Sequence, residues 1–167
     1  MDPKSVKRIL VPLDFSASSD EALSTAIAFA RAFSARLELV HVIVEPIYPL
    51  PAPLEVVTLP VDIERIYAEV EKQITFALGR VREAGVSGDK VILNGRPHVE
   101  IVSHAEKIAA DLIVIGSHGR SGFSHALLGS VAERVVHRAR CPVLVVPAPH
   151  SERDQREQPA AAAARER

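Results

Sequence analysis

Short apolar segments alternate with stretches of helical periodicity five times along the chain, and this alternation restricts its possible folds more than any other feature. The segments are continuous and rich in β-branched residues, as is typical of strands buried on both faces. Strands that alternate with helices predict an α/β fold with a parallel sheet. The first predicted strand begins at Ile9, and the others are Leu37–Val44, Lys90–Asn94, Asp111–Ile115 and Cys141–Pro147.

Residue signals at the ends of the intervening segments define the helices. Ser18, with a glutamate three residues later, forms a capping box and predicts the start of the first helix. Asp62 is the predicted cap of a long second helix that ends at Gly85. Pro97 marks the start of the third helix, and the fourth covers about residues 129–138. The predicted fold is a single doubly wound five-stranded parallel sheet, of order 3-2-1-4-5, with helices on both faces.

The length of 167 residues corresponds to one domain, and 47% hydrophobic residues can form a sizeable core. We assign this domain to residues 1–148. Residues 45–60 contain five of the twelve prolines and are predicted to cross the surface without regular structure. After Pro149 the chain contains no large apolar residue, so we expect residues 149–167 to form a disordered tail.

Charge and cysteine content exclude several classes of protein. The 20 basic and 21 acidic residues give a net charge of −1, without the basic excess of a general nucleic-acid-binding protein. No apolar segment approaches the ~20 residues of a membrane span, and the first ten residues lack the apolar stretch of a signal peptide. The single cysteine excludes an internal disulfide, so we expect a cytoplasmic protein without a membrane partner.

Half of the eight glycines lie in one segment between the fourth predicted strand and the last helix: Gly116, Gly119, Gly122 and Gly129. In an open α/β sheet, ligands bind beyond the carboxyl ends of the strands, which is where this segment lies. Glycines let the backbone approach a phosphate, and the helix N-terminus at Ser130 offers amide groups and a positive dipole. The segment therefore predicts a phosphate-binding loop; the alternative is a flexible turn that only connects strand and helix.

The spacing of the glycines distinguishes between kinds of phosphate loop. The chain contains no Gly-Lys-Ser/Thr and no G-x-G-x-x-G, so it has neither a P-loop nor a dinucleotide-binding fingerprint. The sequence Gly116-x2-Gly119-x9-Gly129-Ser130 instead matches the signature Gly-x2-Gly-x9-Gly-Ser/Thr. The chain thereby resembles the universal stress protein family, in its ATP-binding branch. The resemblance covers about residues 5 to 148 and includes the first, second and last strands.

The resemblance implies which residues contact ATP. Asp14, after the first strand, is implied to lie by the ribose or the metal-bound phosphates, while Pro12 and Val42 flank the adenine. The ribose is implied to lie against Gly116 and Ser117. Backbone or hydroxyl contacts to the phosphates are implied for Gly119, Gly129, Ser130 and Val131. Many ATP-binding relatives have a hydroxyl residue at the position of Ala132, so this chain lacks one such group.

Several residues near the loop have two readings. A carboxylate beside phosphates is repulsive unless Mg²⁺ bridges them, so Asp14 implies Mg²⁺ or a ribose hydroxyl; alternatively, it caps the first helix. Arg120 pairs with a phosphate or faces solvent. His118 is a general base or forms a hydrogen bond within the loop, and no catalytic set is visible. Cys141 is interpreted as a buried strand residue rather than a nucleophile.

These features favour an ATP-binding regulatory protein of the stress response, in which the nucleotide switches a dimer or the choice of a protein partner. A slow ATPase or phosphotransferase that uses the same cleft is the alternative. A flavodoxin-like electron carrier shares the strand pattern, but two tyrosines and no tryptophan leave little to stack on a flavin. An interaction module with an empty cleft is opposed by the intact glycine motif.

The last strand indicates how a dimer would form. In the order 3-2-1-4-5 strand 5 lies at a sheet edge, yet residues 143–146 form the most apolar strand of the chain. Pairing with the same strand of a second chain across a two-fold axis is antiparallel and self-complementary. We therefore expect a homodimer through residues 143–146, which the family resemblance also implies. The alternative is that the last helix or the tail covers this edge.

Overall fold

The computed structural model describes residues 6–44, 63–118 and 128–147. The predicted proline-rich crossing, the Asp62 cap, most of the glycine segment and the tail at 149–167 lie outside these ranges. The elements of the described residues, in chain order, are β1 (Arg8–Pro12), α1 (Ala17–Phe33), β2 (Arg36–Ile43), α2 (Ile63–Glu83), β3 (Gly88–Asn94), α3 (Pro97–Lys107), β4 (Leu112–Gly116), α4 (Ser130–Arg138) and β5 (Val143–Val146).

The five strands form one sheet of order β3-β2-β1-β4-β5, in which all four neighbouring pairs are parallel. The predicted fold class and strand order are therefore confirmed. The central position belongs to β1, with β2 on one side and β4 on the other. Among the described residues, no helix combines the length and apolarity that crossing a membrane requires.

Two apolar cores lie on opposite faces of the sheet, because successive strand residues point to opposite sides. Ile9 and Val11 belong to the core that also contains residues of α1 and α2, whereas Leu10 belongs to the core shared with α3 and α4. All three side chains are completely buried. Burial of each contributes about 1.5–3 kcal/mol to folding. The alternation within β1 thus explains why helices cover both faces.

The start of the first helix differs from the prediction. Ser16 is the N-cap of α1, and its Oγ accepts a hydrogen bond from the amide of Ser19 at 3.3 Å. Ser18, the predicted cap, lies inside the first turn with its side chain buried. Its Oγ lies 3.4 Å from both the carbonyl oxygen of Val146 and the amide nitrogen of His118. The capping box at Ser18 is therefore wrong, because this hydroxyl bonds to the ends of β4 and β5 instead.

The other element boundaries follow local backbone chemistry. Gly85 adopts a φ of +74° just after α2, as expected for a C-terminal cap, and Pro97 is the first residue of α3. The fifth strand is shorter than the predicted segment Cys141–Pro147, since it covers only Val143–Val146. A proline has no amide hydrogen to donate to a ladder, so Pro142 and Pro147 bracket this strand.

Candidate functional site

A cleft of about 610 Å³ lies beyond the carboxyl ends of β1, β2 and β4. The helices α1 and α2 contribute to the core on one face of the sheet, and α3 and α4 contribute to the core on the other. The helix that follows β1 and the helix that follows β4 therefore lie on opposite faces of the sheet, which makes this end of the sheet a topological switch point. The volume is within the range of small-molecule sites, which is roughly 300–1,000 Å³.

The cleft brings together eight of the ten residues that sequence analysis proposed as binding residues. They come from the ends of β1, β2 and β4 and from the start of α4: Pro12, Asp14, Val42, Gly116, Ser117, Gly129, Ser130 and Val131. The other two, Gly119 and Arg120, lie outside the described residues. The contacts of all ten with a nucleotide stay a prediction.

The turn after β1 holds Asp14 in a defined position. Its Oδ1 accepts hydrogen bonds from the amide of Ser16 at 3.1 Å and from the hydroxyl of Ser16 at 2.6 Å. Phe15 has a left-handed φ of +63° and stacks on the ring of His41 at a centroid distance of 4.6 Å. Nδ1 of His41 lies 2.7 Å from the carbonyl oxygen of Leu13, to which it donates. The turn is thereby fastened to β2.

These contacts also decide the structural role of Asp14. The alternative that Asp14 caps α1 is wrong, because Ser16 occupies the cap position and Asp14 supports it from two residues before. A half-buried carboxylate at this place suits Mg²⁺, which takes one or two protein carboxylates together with water and phosphate oxygens. Groups of three or more His, Cys, Asp or Glu residues that could hold a metal ion are absent from the described residues.

The end of β4 packs directly onto the first turn of α1. A Cβ atom at Gly116 would lie 2.6 Å from Oγ of Ser18 and 2.8 Å from its carbonyl carbon. Protein atoms do not approach a Cβ this closely, so the backbone of β4 reaches this position only because residue 116 has no side chain. Gly116 was proposed as a ligand contact, and the structure gives it a packing role as well.

We expect Gly116→Ala to lower the free energy of unfolding by about 1–3 kcal/mol, because the added methyl group meets the backbone of Ser18. Urea unfolding of the two proteins measures the difference. Gly79→Ala is the matched control, since nothing lies within 4 Å of a Cβ at that helical position. An unchanged free energy of unfolding in Gly116→Ala would show that α1 shifts to accommodate the methyl group without a loss of stability.

The N-terminus of α4 forms one wall of the cleft. Gly129 is the N-cap, no side chain caps the helix, and its first three residues, Ser130, Val131 and Ala132, all line the cleft. The first amide groups of a helix have no partner within the helix and carry a partial positive charge. The amide of Gly129 donates a 2.7 Å hydrogen bond to the carbonyl oxygen of Ser117, which fixes this helix end against the end of β4. An anion is the ligand that such a wall favours.

The helices α2 and α3 contribute four lining residues that sequence analysis did not assign to the site: Ile66 and Val70 from α2, and Pro97 and Ile101 from α3. Ile66, Val70 and Ile101 belong to apolar stripes that predicted buried helix faces. An apolar stripe indicates that one face of a helix is buried, but it does not indicate which part of the protein that face contacts. The 40% exposure of Ile66 shows that part of this face remains open.

Two residues considered for catalysis, His118 and Cys141, lie near the end of β4 and before β5. Oγ of Ser117 lies 2.9 Å from Nδ1 of His118, so the imidazole forms a hydrogen bond within the loop. Nε2 of His118 is buried without a hydrogen-bond partner in the described structure. Cys141 packs against the second core, and burial, with a smaller contribution from the Asp111 charge, raises the pKa of its thiol. A raised pKa disfavours the reactive thiolate.

Comparison with protein families gives an independent assignment. The model described as "Universal stress protein family" matches residues 5–147. The chain belongs to the universal stress protein family. The resemblance derived from the glycine spacing and the strand ends is thereby confirmed.

Relatives in archaea and bacteria match this universal stress protein over most of their length. Universal stress protein MJ0531 of Methanocaldococcus jannaschii is 40% identical over 149 residues, which cover 87% of this chain and 85% of the relative. Universal stress protein YxiE of Bacillus subtilis is 35% identical over 144 residues, which cover 83% of this chain and 97% of the relative.

Solved structures share the fold. The structure of the hypothetical protein MJ0577 is 30% identical, with a TM-score of 0.72 over 87% of this chain and 99% of the other. A universal stress protein in complex with cAMP is 28% identical, with a TM-score of 0.61 and coverages of 86% and 98%. The protein from Archaeoglobus fulgidus in complex with dAMP is 25% identical, with a TM-score of 0.59 and coverages of 84% and 97%. Proteins of this fold and family therefore include nucleotide binders.

Proposed function

We propose that this universal stress protein binds ATP with Mg²⁺ in the cleft at the ends of β1 and β4, and that the nucleotide controls a homodimer. One observation carries the proposal: the uncapped N-terminus of α4 lines the same cleft as Asp14 and Gly116. An anion-binding helix end and a carboxylate suited to Mg²⁺ are the two groups that a metal-bound polyphosphate requires. The complexes of similar proteins with cAMP and dAMP support an adenine nucleotide.

The strand order supports an orientation for the nucleotide. On the β2 side of β1, the cleft is lined by the apolar residues Val42, Ile66 and Val70, which suit the adenine. Asp14 follows the central strand and would meet the ribose or Mg²⁺. On the β4 side, the start of α4 at Ser130 would meet the phosphates. We infer that the nucleotide lies across the sheet end, with its base toward α2.

The sheet edge supports the dimer. Strand β5 is terminal in the sheet, and Val143, Leu144 and Val145 are only half-buried although all three are apolar. The amide of Ser117 in the cleft donates a 2.7 Å hydrogen bond to the carbonyl oxygen of Val146, at the end of this edge strand. A nucleotide that moves Ser117 would thus act on the edge. We further propose that the switch acts in the cytoplasm on a protein partner.

We expect ATP with Mg²⁺ to raise the melting temperature by about 5 to 10 °C at a hundredfold excess over Kd. A ligand that binds only the folded state adds about 2.7 kcal/mol at this excess, and each kcal/mol raises Tm by roughly 2–4 °C in a domain of this size. Differential scanning fluorimetry of nucleotide-free protein measures the shift.

Two further conditions test the role of Mg²⁺ and the base and ribose subsites separately. Chelation of Mg²⁺ is expected to reduce the ATP-dependent shift, because the phosphates then face the carboxylate of Asp14 without a bridging cation. AMP tests the base and ribose subsites alone. Melting curves that do not move with millimolar ATP, ADP or AMP would refute nucleotide binding.

A slow ATPase or phosphotransferase is the second candidate, and one contact favours it. The hydroxyl of Ser117 lies 2.9 Å from Nδ1 of His118 inside the cleft, a pairing in which an imidazole can activate a hydroxyl. Multiple-turnover phosphate release distinguishes the candidates. Release that persists through many turnovers and falls in His118→Gln identifies an enzyme, whereas stable bound ATP identifies a binding protein.

A further inference from the structure

A second groove, of about 600 Å³, lies beside the proposed nucleotide cleft. It runs between the N-terminus of α3 and the outer part of α4, and Pro97 and Val131 line both spaces. Three arginines line the groove: Arg96, which is the N-cap of α3, and Arg134 and Arg138, which lie four residues apart on α4. Residues distant in sequence thus place three guanidinium groups around one space.

These positive charges have no partner within the described part of the chain. All three arginines are exposed, and none forms an ion pair with a described residue. The acidic residues nearest to them in sequence, Glu100 on α3 and Glu133 on α4, do not pair with them either. Three like charges around one groove repel one another, and an anion between them would remove this repulsion.

A buried imidazole also lines the groove. His98 is only 9% exposed, and its ring makes no hydrogen bond with a described residue. Burial, followed by the charges of Arg134, Arg138 and Arg96, lowers the pKa of His98. The neutral ring retains one N–H that can donate to an anion.

We propose that this groove is a second anion site, built to bind a phosphate group. The planar guanidinium matches two phosphate oxygens at once, and the α3 helix adds an N-terminus that no side chain caps. The phosphate belongs either to a free anion such as pyrophosphate or to the polyphosphate end of a nucleotide in the adjoining cleft. The second source rests on the proposed nucleotide binding; the first does not.

Isothermal titration with pyrophosphate tests the site directly. We expect the double variant Arg134→Gln/Arg138→Gln to bind pyrophosphate at least about tenfold more weakly than the unsubstituted protein. The matched control is Arg31→Gln/Arg82→Gln, which removes the same charge from exposed positions on α1 and α2 and should keep the affinity.

The imidazole of His98 provides a local spectroscopic readout. Bound pyrophosphate should raise the pKa of His98, measured by NMR titration of its ring resonances, because an anion offsets the three positive charges. Removal of Arg134 and Arg138 should raise this pKa in the free protein and abolish the further rise with pyrophosphate. A general effect of lower net charge would instead appear equally in Arg31→Gln/Arg82→Gln.

The source of the phosphate is decided by comparing ATP with AMP in the same variants. If the arginine double variant weakens ATP binding but leaves AMP binding unchanged, the groove holds the polyphosphate end of the nucleotide. If it weakens pyrophosphate binding alone, the groove takes a separate anion. Unchanged affinities for both pyrophosphate and ATP in the double variant would overturn the second site, whereas a failure of AMP to bind the unsubstituted protein would count against the nucleotide cleft only.

Discussion

Replacement of Gly129 by valine is expected to abolish nucleotide binding. A Cβ atom at this position would lie 2.8 Å from the carbonyl oxygen of Ser117 and 3.3 Å from Cα of His118. The side chain would therefore push the start of α4 away from the end of β4, and it would break the 2.7 Å hydrogen bond from Gly129 to Ser117. Since Ser117 and Ser130 line the cleft from these two elements, both phosphate-side walls would move.

Titration calorimetry with ATP and Mg²⁺ measures this loss, and circular dichroism reports whether the fold is retained. Gly79→Val is the matched control, because a Cβ at Gly79 meets no atom within 4 Å. Ser130→Ala should be milder, costing about 1.5–3 kcal/mol for one hydrogen bond to a charged group. ATP affinity that stays the same in a folded Gly129→Val protein would show that this helix end only connects β4 to α4.

Replacement of Val145 by proline is expected to convert the dimer to a monomer while the fold and ATP binding remain. The carbonyl oxygens of Pro142 and Val146 accept hydrogen bonds from the amide groups of Ile113 and Ser117. The backbone N–H and C=O groups of the even-numbered residues of this strand therefore point toward β4. The N–H and C=O of one strand residue point to the same side, and this side alternates along the strand. Val145 therefore presents its amide to the open edge, where a second chain would pair and where proline is tolerated.

Sedimentation velocity compares the oligomeric states, with and without ATP. Leu144→Pro is the contrasting variant: the amide of Leu144 faces β4, so proline there should destabilise the sheet itself rather than only the dimer. A monomer at micromolar concentration before any substitution, in the presence and absence of ATP, would refute the proposed edge. A dimer that survives Val145→Pro would place the interface elsewhere.

The fold was predictable because its signals are local. Continuous apolar strands such as Ile113–Ile115 and helical stripes identify the elements, and the right-handed connections of α/β proteins restrict their order. The cap of α1 was misplaced because Ser16 and Ser18 both have the chemistry of a cap. Their roles differ only through contacts distant in sequence, since Ser18 lies against Gly116 and Val146.

The candidate site was predictable where a motif defines backbone geometry, and it was not where packing decides. The positions of Gly129 and Ser130 follow from the glycine spacing before a helix. The sequence around Ile66 does not show that this residue lines the cleft. Periodicity identifies the apolar face of a helix but not the element or cavity against which that face lies. The groove between α3 and α4 had no signal at all, since Arg96 and Arg134 come together only when the two helices pack side by side.

The hydrogen bond from Ser117 to Val146 joins the cleft to the end of the edge strand, and in the proposed function it would couple nucleotide binding to dimerisation. One residue contributes its surface to the cleft and its amide to the end of the edge strand, so the positions of the two are not independent. Coupling between two binding events is reciprocal. If ATP tightens dimerisation by a given factor, dimerisation must tighten ATP binding by the same factor. The protein concentration would then set the ATP level at which the nucleotide is held, and a cell that accumulates this protein would lower that level without changing any residue.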